Sequence, residues 1–282
     1  MGAWIDFTNH IHIAKETWEN GILKEVGYKD ITSEMIEEIA QNNRIQWIQI
    51  DKNLPESAYR EIDRILERRP DLYFRIFGIG TYGNETFDLS VLSLMPHLSK
   101  IRIDGHLEKD KEAVNPEYLC ELRNLKGVHL TLFDRLDYGF VKDLSADLEE
   151  LILYADTMGK TVQFNCEWLL KYQKLRTLFL GKRAKKHLES INRIASLKSL
   201  SLNGIKVGDF AFLKEINLDS FALLWCGNND LTALGDLISL RNLELWRIMK
   251  LDNFTQLTDI QINNVPIDLE TLDESVRKLV HS

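Results

Sequence analysis

The sequence predicts an α/β protein built from repeated units, in which short parallel strands alternate with helical return segments. Three observations lead to this fold class. An apolar spacing of the form L-x-x-L-x-L recurs along the chain, its copies after Leu98 begin 17 to 27 residues apart, and several segments between them carry apolar residues at helical spacing. A motif that returns every roughly 20 to 30 residues indicates a stack of similar coils.

The spacing fits nine stretches of the chain. Their first positions are Ile45, Leu98, Leu125, Leu148, Leu175, Leu197, Leu218, Leu240 and Leu257. The fourth and sixth positions of each copy point to one side of a strand, because side chains alternate along a strand. One coil cannot bury that side alone, so the coils must stack. A tenth stretch, PDLYFRIFG, has a blurred register in which Leu72, Phe74 and Ile76 simply alternate.

The return segments differ along the chain. ITSEMIEEIAQNN and ESAYREIDRILERRPDL predict two helices, the first with Thr32 or Ser33 as its N-cap and the second ended by Pro70. NPEYLCELRNL, NCEWLLKYQKL and LESINRIASL are interpreted as short helices. From Leu197 on, the units shrink to about 22 residues, which favours short 3-10 or irregular returns.

These copies resemble the leucine-rich repeat family over about residues 31 to 270. The resemblance implies a leucine-rich repeat solenoid (horseshoe) with a parallel concave β-sheet and mixed helical and 3-10 convex returns. Residues 1–30 would form an N-terminal cap, residues 31–270 about ten repeats, and residues 271–282 a C-terminal cap or tail. The family often has Asn or Cys at the ninth motif position, and here only Asn53 and Cys226 match. The other turns must satisfy their backbone groups by other means.

Composition narrows the class of protein. The 282 residues are 44% hydrophobic and 28% charged, with a net charge of −8. Proteins that bind nucleic acid along their length normally carry a basic surplus, so we expect no nucleic-acid partner. No apolar run approaches the roughly 18 residues of a membrane helix, and the first residues do not resemble a secretory signal. We therefore expect no membrane contact and a cytoplasmic location.

Few residues are candidates for a catalytic or metal-binding role, and we predict no catalytic residue, metal or cofactor. The three cysteines, Cys120, Cys166 and Cys226, fit neither a zinc spacing nor a complete disulfide framework. Cys166 could be the nucleophile of a ubiquitin-ligase-like enzyme, but its place before an apolar run favours a buried thiol. His10 and His12 share one face of an extended segment without an evident third ligand.

The densest basic stretch of the chain is GKRAKKH, residues 181–187. It could bind an acidic partner, or make the chain a sensor of nucleic acid or of an anionic surface. A solvated loop or the start of a helix is the favoured interpretation.

The side chains between the leucines predict a binding surface. Motif positions five and seven point away from the core, and in the middle of the chain they are apolar or aromatic. Exposed apolar side chains grouped on one surface are typical of a partner site, with Tyr and Trp as anchors. Strand propensity alone would also explain such residues. The predicted partner-binding residues of the concave face are Arg102, His129, Ile152, Tyr154, Phe179, Leu224, Glu244 and Trp246.

The sequence therefore predicts a protein–protein interaction module, with an adaptor, inhibitor or immunity-type role. The alternatives are an effector-type enzyme, such as a ubiquitin-ligase-like protein, and a sensor of nucleic acid or anionic surfaces. Against the enzyme, the repeats occupy nearly the whole chain. A fold alone does not determine function, so the sequence does not identify the partner protein.

Overall fold

The computed structural model describes residues 9–19, 24–79, 86–105, 107–108, 111–112, 114–157, 159–227, 231–246, 259–263, 274–278 and 280–281. The chain divides into two units. The N-terminal unit comprises Met1–Arg135 and Asp143–Ser145, and the C-terminal unit comprises Leu136–Lys142 and Ala146–Ser282. None of the helices within the described ranges is long and apolar enough to cross a membrane.

The N-terminal unit is a sheet with helical returns. Its strands are β1, His10–Ala14; β2, Trp18–Glu19; β3, Lys24–Gly27; β4, Trp47–Ile50; β5, Tyr73–Ile79; β6, Lys100–Gly105; β7, Leu107–Glu108; β8, Lys111–Glu112; and β9, Gly127–Leu132. Seven of them pair in the order β9-β6-β5-β4-β1-β3-β2, while β7 and β8 form a separate antiparallel pair. Each strand of the seven is parallel to its neighbour except β2, which is antiparallel to β3.

Both predicted helices are confirmed in this unit. Helix α1 spans Ser33–Gln41, and the hydroxyl of Thr32 caps it by accepting from the Met35 amide at 3.2 Å. Helix α2 spans Glu56–Arg68 and ends before Pro70, as expected. The remaining helical returns of the unit are 3-10 helices at Tyr28–Asp30, Leu89–Leu94 and Pro116–Glu121.

The C-terminal unit repeats one strand-and-return pattern. Its strands are β10, Glu150–Ala155; β11, Thr177–Lys182; β12, Ser199–Asn203; β13, Ser220–Leu224; β14, Asn242–Trp246; β15, Asp259–Asn263; and β16, Val280–His281. They are parallel and lie in sequence order. The helices are 3-10 segments at Cys166–Lys171, Leu188–Arg193, Ala211–Leu213 and Thr232–Asp236, and α3 at Glu274–Arg277. A 3-10 helix at Gly139–Asp143 contributes residues to both units.

The register of the strands places the leucines of successive copies side by side. Leu151 lies opposite Leu178, which is followed across the sheet by Leu200, Phe221 and Leu243. None of these five side chains is more than 2% exposed. The predicted inward positions and the parallel leucine-rich repeat solenoid architecture are therefore confirmed.

The stretch PDLYFRIFG, which looked irregular in the sequence, forms a regular repeat strand in the structure. Phe74 and Ile76 of β5 lie opposite Ile101 and Ile103 of β6, and all four are fully buried. They occupy the fourth and sixth motif positions, so the blurred register is wrong. It arose because the buried Leu72 precedes the strand and extends the apparent alternation.

Three returns that we interpreted as short helices are 3-10 helices of six residues each, Pro116–Glu121, Cys166–Lys171 and Leu188–Arg193. Their ends are closed by i to i+3 bonds, such as that from the Tyr172 amide to the Leu169 carbonyl at 3.0 Å. A 3-10 helix rises about 2 Å per residue, more than an α-helix. It therefore crosses the back of a coil with fewer residues. The expectation of 3-10 returns after Leu197 is confirmed at Ala211–Leu213 and Thr232–Asp236.

Two turns keep the polar contact that the family usually makes. The amide nitrogen of Asn53 donates to the Thr86 carbonyl at 3.2 Å. The thiol of Cys226 donates to the Leu202 carbonyl at 3.3 Å. Both contacts link the turn of one coil to another coil.

Serine side chains just before the motif also donate hydrogen bonds to the backbone of the preceding coil. The hydroxyl of Ser196 donates to the Leu175 carbonyl, and that of Ser239 donates to the Leu218 carbonyl, both at 2.7 Å. Each bond reaches the first motif leucine of the preceding copy. These serines are part of the other means by which the repeats satisfy their backbone.

Candidate functional site

The predicted binding residues all lie on the sheet face that is formed by motif positions five and seven, which we call the open face. Each of these side chains is half-buried there. Two belong to the N-terminal unit and six to the C-terminal unit. In chain order they are Arg102, His129, Ile152, Tyr154, Phe179, Leu224, Glu244 and Trp246.

Three of the predicted residues form a group on β10 and β11, the β10–β11 cluster of Ile152, Tyr154 and Phe179. Ile152 lies opposite Phe179, and Tyr154 lies opposite Gly181. A Cβ atom built on Gly181 would lie 2.5 Å from Cδ2 of Tyr154 and 3.3 Å from Cε1 of Phe179. The missing side chain therefore lets both rings pack over the backbone of β11.

Two strands further along the sheet, Leu224, Glu244 and Trp246 form the β13–β14 cluster. Leu224 lies opposite Trp246, and Ala222 lies opposite Glu244. The Nε1 atom of Trp246 is buried and has no hydrogen-bond partner among the residues that the structure describes.

The structure adds Trp225 to the β13–β14 cluster, a residue that the sequence analysis missed. Its ring stacks on Trp246, with centroids 6.4 Å apart and an angle of 20° between the planes. Half of its surface is exposed. Trp225 lies just after the strand with a left-handed φ of 60°, so the strand periodicity gives no signal for its direction. Only its large aromatic side chain beside a motif strand could have suggested it.

Small side chains separate the two clusters. Ser199 and Ser201 on β12, with Ser220 and Ala222 on β13, line a depression of about 250 Å³. Phe179 lies opposite Ser201, so the larger side chains stand on both sides of the small ones. The open face of the C-terminal unit thus offers a recess between two raised clusters.

The open face of the N-terminal unit is polar, and its polar side chains form hydrogen bonds with one another. Arg75 donates to Asp104 and Gln49, at 2.7 and 2.9 Å. Arg102 donates to the same Asp104 carboxylate at 3.0 Å. Arg75 also lies over the Phe77 ring, 4.3 Å from its centroid. Sequence analysis singled out Arg102 and missed Arg75, although both occupy motif position five.

Burial and neighbouring positive charge lower the pKa of His129 to about 4. Burial is the larger cause, and Arg102 and Arg75 add to it, while Asp104 opposes it. His129 is therefore a neutral side chain at pH 7, which can donate or accept a hydrogen bond but carries no charge.

We expect the proton NMR titration of His129 to have its midpoint near pH 4, instead of the ordinary 6.5. Between these two pH values the unfolded chain binds a proton at this residue that the folded chain does not bind. The free energy of unfolding should therefore decrease as the pH falls through this window. A His129→Gln variant should lose that part of the pH dependence, and a midpoint near 6.5 in the folded protein would contradict the burial of this ring.

The cysteines have the surroundings of packing residues. Burial, together with the charge of Glu189, raises the pKa of the Cys166 thiol to about 12. Burial also raises the pKa of Cys226. Thiolates are the nucleophilic form of cysteine, so Cys166 is a poor candidate for a ligase nucleophile. None of the three cysteines, including the half-buried Cys120, forms a disulfide among the residues that the structure describes.

The two N-terminal histidines share the open face, as expected. His10 stacks on Trp47 with centroids 5.6 Å apart. His12 lies near two carboxylates, with Nε2 at 3.4 Å from Asp51 and Nδ1 at 3.8 Å from Glu25. Within the described ranges, no group of three or more His, Cys, Asp and Glu side chains is arranged to hold a metal ion.

Similar proteins were found only among solved structures. No protein-family model and no curated protein matches the chain. A solved leucine-rich repeat protein of Leptospira interrogans is 18% identical, with a TM-score of 0.49, and the match covers 87% of this chain and 74% of that one. An internalin of Listeria monocytogenes is also 18% identical, with a TM-score of 0.45, over 84% of this chain and 70% of that one.

The assignment to a class rests on the chain's own residues. The motif recurs nine times, its fourth and sixth positions are buried in register wherever the structure describes them, and the returns of both units include six-residue 3-10 helices. With these features, the chain has the fold of a leucine-rich repeat solenoid.

Proposed function

We propose that the chain is a protein-binding module whose partner docks on the open face of the C-terminal unit. The observation that carries this proposal is the recess of small residues between the β10–β11 cluster and the β13–β14 cluster. Aromatic anchors around a recess are typical of interface centres, where a few residues supply most of the binding energy. Phe179, Tyr154 and Trp246 are the proposed anchors, with Trp225 beside them.

The recess also indicates the chemistry of the partner. Glu244 stands on the strand beside Ala222 and forms no ion pair with any residue that the structure describes. A carboxylate at the border of an apolar surface favours a partner with a cationic side chain opposite it. We infer that the partner inserts an apolar side chain between the clusters and places a Lys or Arg near Glu244.

The N-terminal unit has a smaller role in this proposal. Its Arg102 is already bound to Asp104, so a partner would have to compete for it. We propose that Arg102 and His129 are polar partner-binding residues on the open face of the N-terminal unit, where they affect the association rate more than the affinity. We also propose that residues 1–30 and 271–282 cap the repeats at 31–270. An adaptor, inhibitor or immunity-type role in a reducing, cytoplasmic compartment suits three cysteines that form no disulfide within the described ranges.

The test begins with a pull-down from a lysate of the native source and identification of the partner by mass spectrometry. Phe179→Ala and Trp246→Ala should then each weaken binding of that partner by about 30-fold, the equivalent of roughly 2 kcal/mol for a desolvated aromatic anchor. Arg102→Ala should have a smaller effect, mainly on the association rate at low salt. Isothermal calorimetry and stopped-flow mixing measure these two quantities.

Ile238→Ala is the matched control, because Ile238 is 69% exposed but lies in a return, away from the open face. It should bind like the unmodified protein. Melting temperatures should change little in all these variants. Normal binding by both Phe179→Ala and Trp246→Ala would contradict the proposal, and unfolding of both would show that the two side chains belong to the core.

A further inference from the structure

A second surface of the C-terminal unit lies where the chain leaves the strands β10, β11 and β12. The loops that follow these three strands line a surface cavity of about 530 Å³. This volume lies within the roughly 300–1,000 Å³ that is typical of ligand sites. None of the residues that line it belongs to the open face, so the cavity is separate from the surface proposed above.

The border of the cavity is cationic. Four exposed basic side chains surround it, Arg183, Lys185, Lys186 and Lys206. Within the described part of the chain, none of the four forms an ion pair. This positive group stands out in a chain whose net charge is −8, because like charges that lie together repel unless an anion compensates them.

Two carboxylates of the loops around the cavity pair with other side chains. Asp156 lies 3.9 Å from the ammonium group of Lys182. Glu167 is within 3.2 Å of His187 and also accepts from the side chain of Asn165. Glu189 and Asp209, which are nearest in sequence to the four basic side chains, form no ion pair with them within the described ranges. The four cations are therefore left to a ligand.

The floor of the cavity is apolar. Val162, Leu188 and Ile205, one from each of the three loops, line it and are 6%, 8% and 1% exposed. An apolar group that covers this floor contributes binding free energy, in addition to the electrostatic attraction of the cationic border. The ligand should therefore carry both an apolar side chain and several negative charges.

The backbone of the basic loop is held by the neighbouring coil. The Arg183 amide donates to the Ala155 carbonyl at 3.3 Å, and the Cys166 amide donates to the Lys186 carbonyl at 3.0 Å. These bonds fix the points from which the cationic side chains extend. Binding then costs side-chain freedom but little loop ordering.

We propose that this cavity binds an acidic segment of a protein partner, in which an apolar residue is flanked by carboxylates. Three of the four cations are lysines, which are point charges on flexible stems and can pair with carboxylates at varied positions. The apolar floor takes the side chain between them. None of the described lining residues is aromatic, so the cavity lacks the stacking surface that single-stranded nucleic acid usually requires.

The probe for this proposal is a fluorescent peptide in which one leucine is flanked on both sides by glutamates. Its anisotropy in a titration with the full chain should show saturable binding that weakens with salt. Lys185→Glu combined with Lys186→Glu should lower the affinity about tenfold or more at low salt. Replacing the peptide leucine by serine should lower it as well, because the apolar floor then has no partner.

Lys142→Glu is the control for a change of charge, since Lys142 is exposed in the same unit and lies away from the cavity. It should leave peptide binding unchanged, as should Phe179→Ala, which separates this proposal from that for the open face. Circular dichroism melting should show that all variants fold. Equal loss in Lys142→Glu, no effect of the peptide leucine, or tighter binding of an oligonucleotide than of the peptide would each overturn the assignment to an acidic segment.

Discussion

Leu200→Ala is expected to destabilise the C-terminal unit by about 2–5 kcal/mol. Leu200 is fully buried on β12, between Leu178 and Phe221 of the neighbouring strands. Truncation removes apolar surface from the core and leaves a cavity between two adjacent coils, which stacked leucines cannot easily fill. Chemical denaturation followed by circular dichroism measures the loss.

Ser201→Ala is the matched control for this variant. Ser201 is the next residue on the same strand, but it points to the open face and is half-exposed there. Its replacement should change the free energy of unfolding by less than about 0.5 kcal/mol. A similarly small change for Leu200→Ala would mean that the inward and outward faces of β12 are exchanged.

Arg69→Met is expected to destabilise the N-terminal unit by about 3 kcal/mol, because hydrogen bonds to a charged group contribute about 1.5–3 kcal/mol each. The Arg69 guanidinium donates to the carbonyls of Ile39, Asn42 and Ile45, at 3.0, 3.1 and 3.2 Å. Its side chain is only 11% exposed. It therefore connects the end of α1 to the chain that enters β4.

Arg68→Met separates this effect from a general effect of charge. Arg68 is the preceding residue, its side chain is 52% exposed, and it pairs with Glu37 at 3.0 Å. An exposed pair contributes about 0.2–1 kcal/mol, so this variant should lose much less stability in the same denaturation experiment. Equal losses in the two variants would show that the three carbonyl contacts of Arg69 contribute little.

The open faces of the two units differ in chemistry, and this difference decides where a partner is proposed. In the N-terminal unit, Arg75, Asp104 and Arg102 satisfy one another. A partner gains little from groups that are already paired, because it must first break their bonds. In the C-terminal unit, half-buried aromatic rings lie on the strands on either side of small serines, so apolar surface remains for a partner to cover.

For the nine regular copies, the sequence by itself determined the repeat, the strand positions and the face of each strand. Alternation along a strand is a local property, and the shared spacing determines it in each of the nine copies. Phe179 and Trp246 were placed on the open face for this reason, and Leu200 in the core. The helices α1 and α2 could also be predicted from local sequence, because the N-cap Thr32 and the terminating Pro70 lie next to the helices that they bound.

Only the tertiary structure decided which side chains meet across the coils. Arg69 finds its carbonyls 24 to 30 residues away, and the basic cavity joins Lys206 to Lys186 across two loops. Trp225 reaches Trp246 through a left-handed turn that strand periodicity does not describe. Such contacts depend on the lengths of the returns and on turn geometry, which set how adjacent coils align. The motif specifies each strand, whereas these alignments arise only when the coils are stacked.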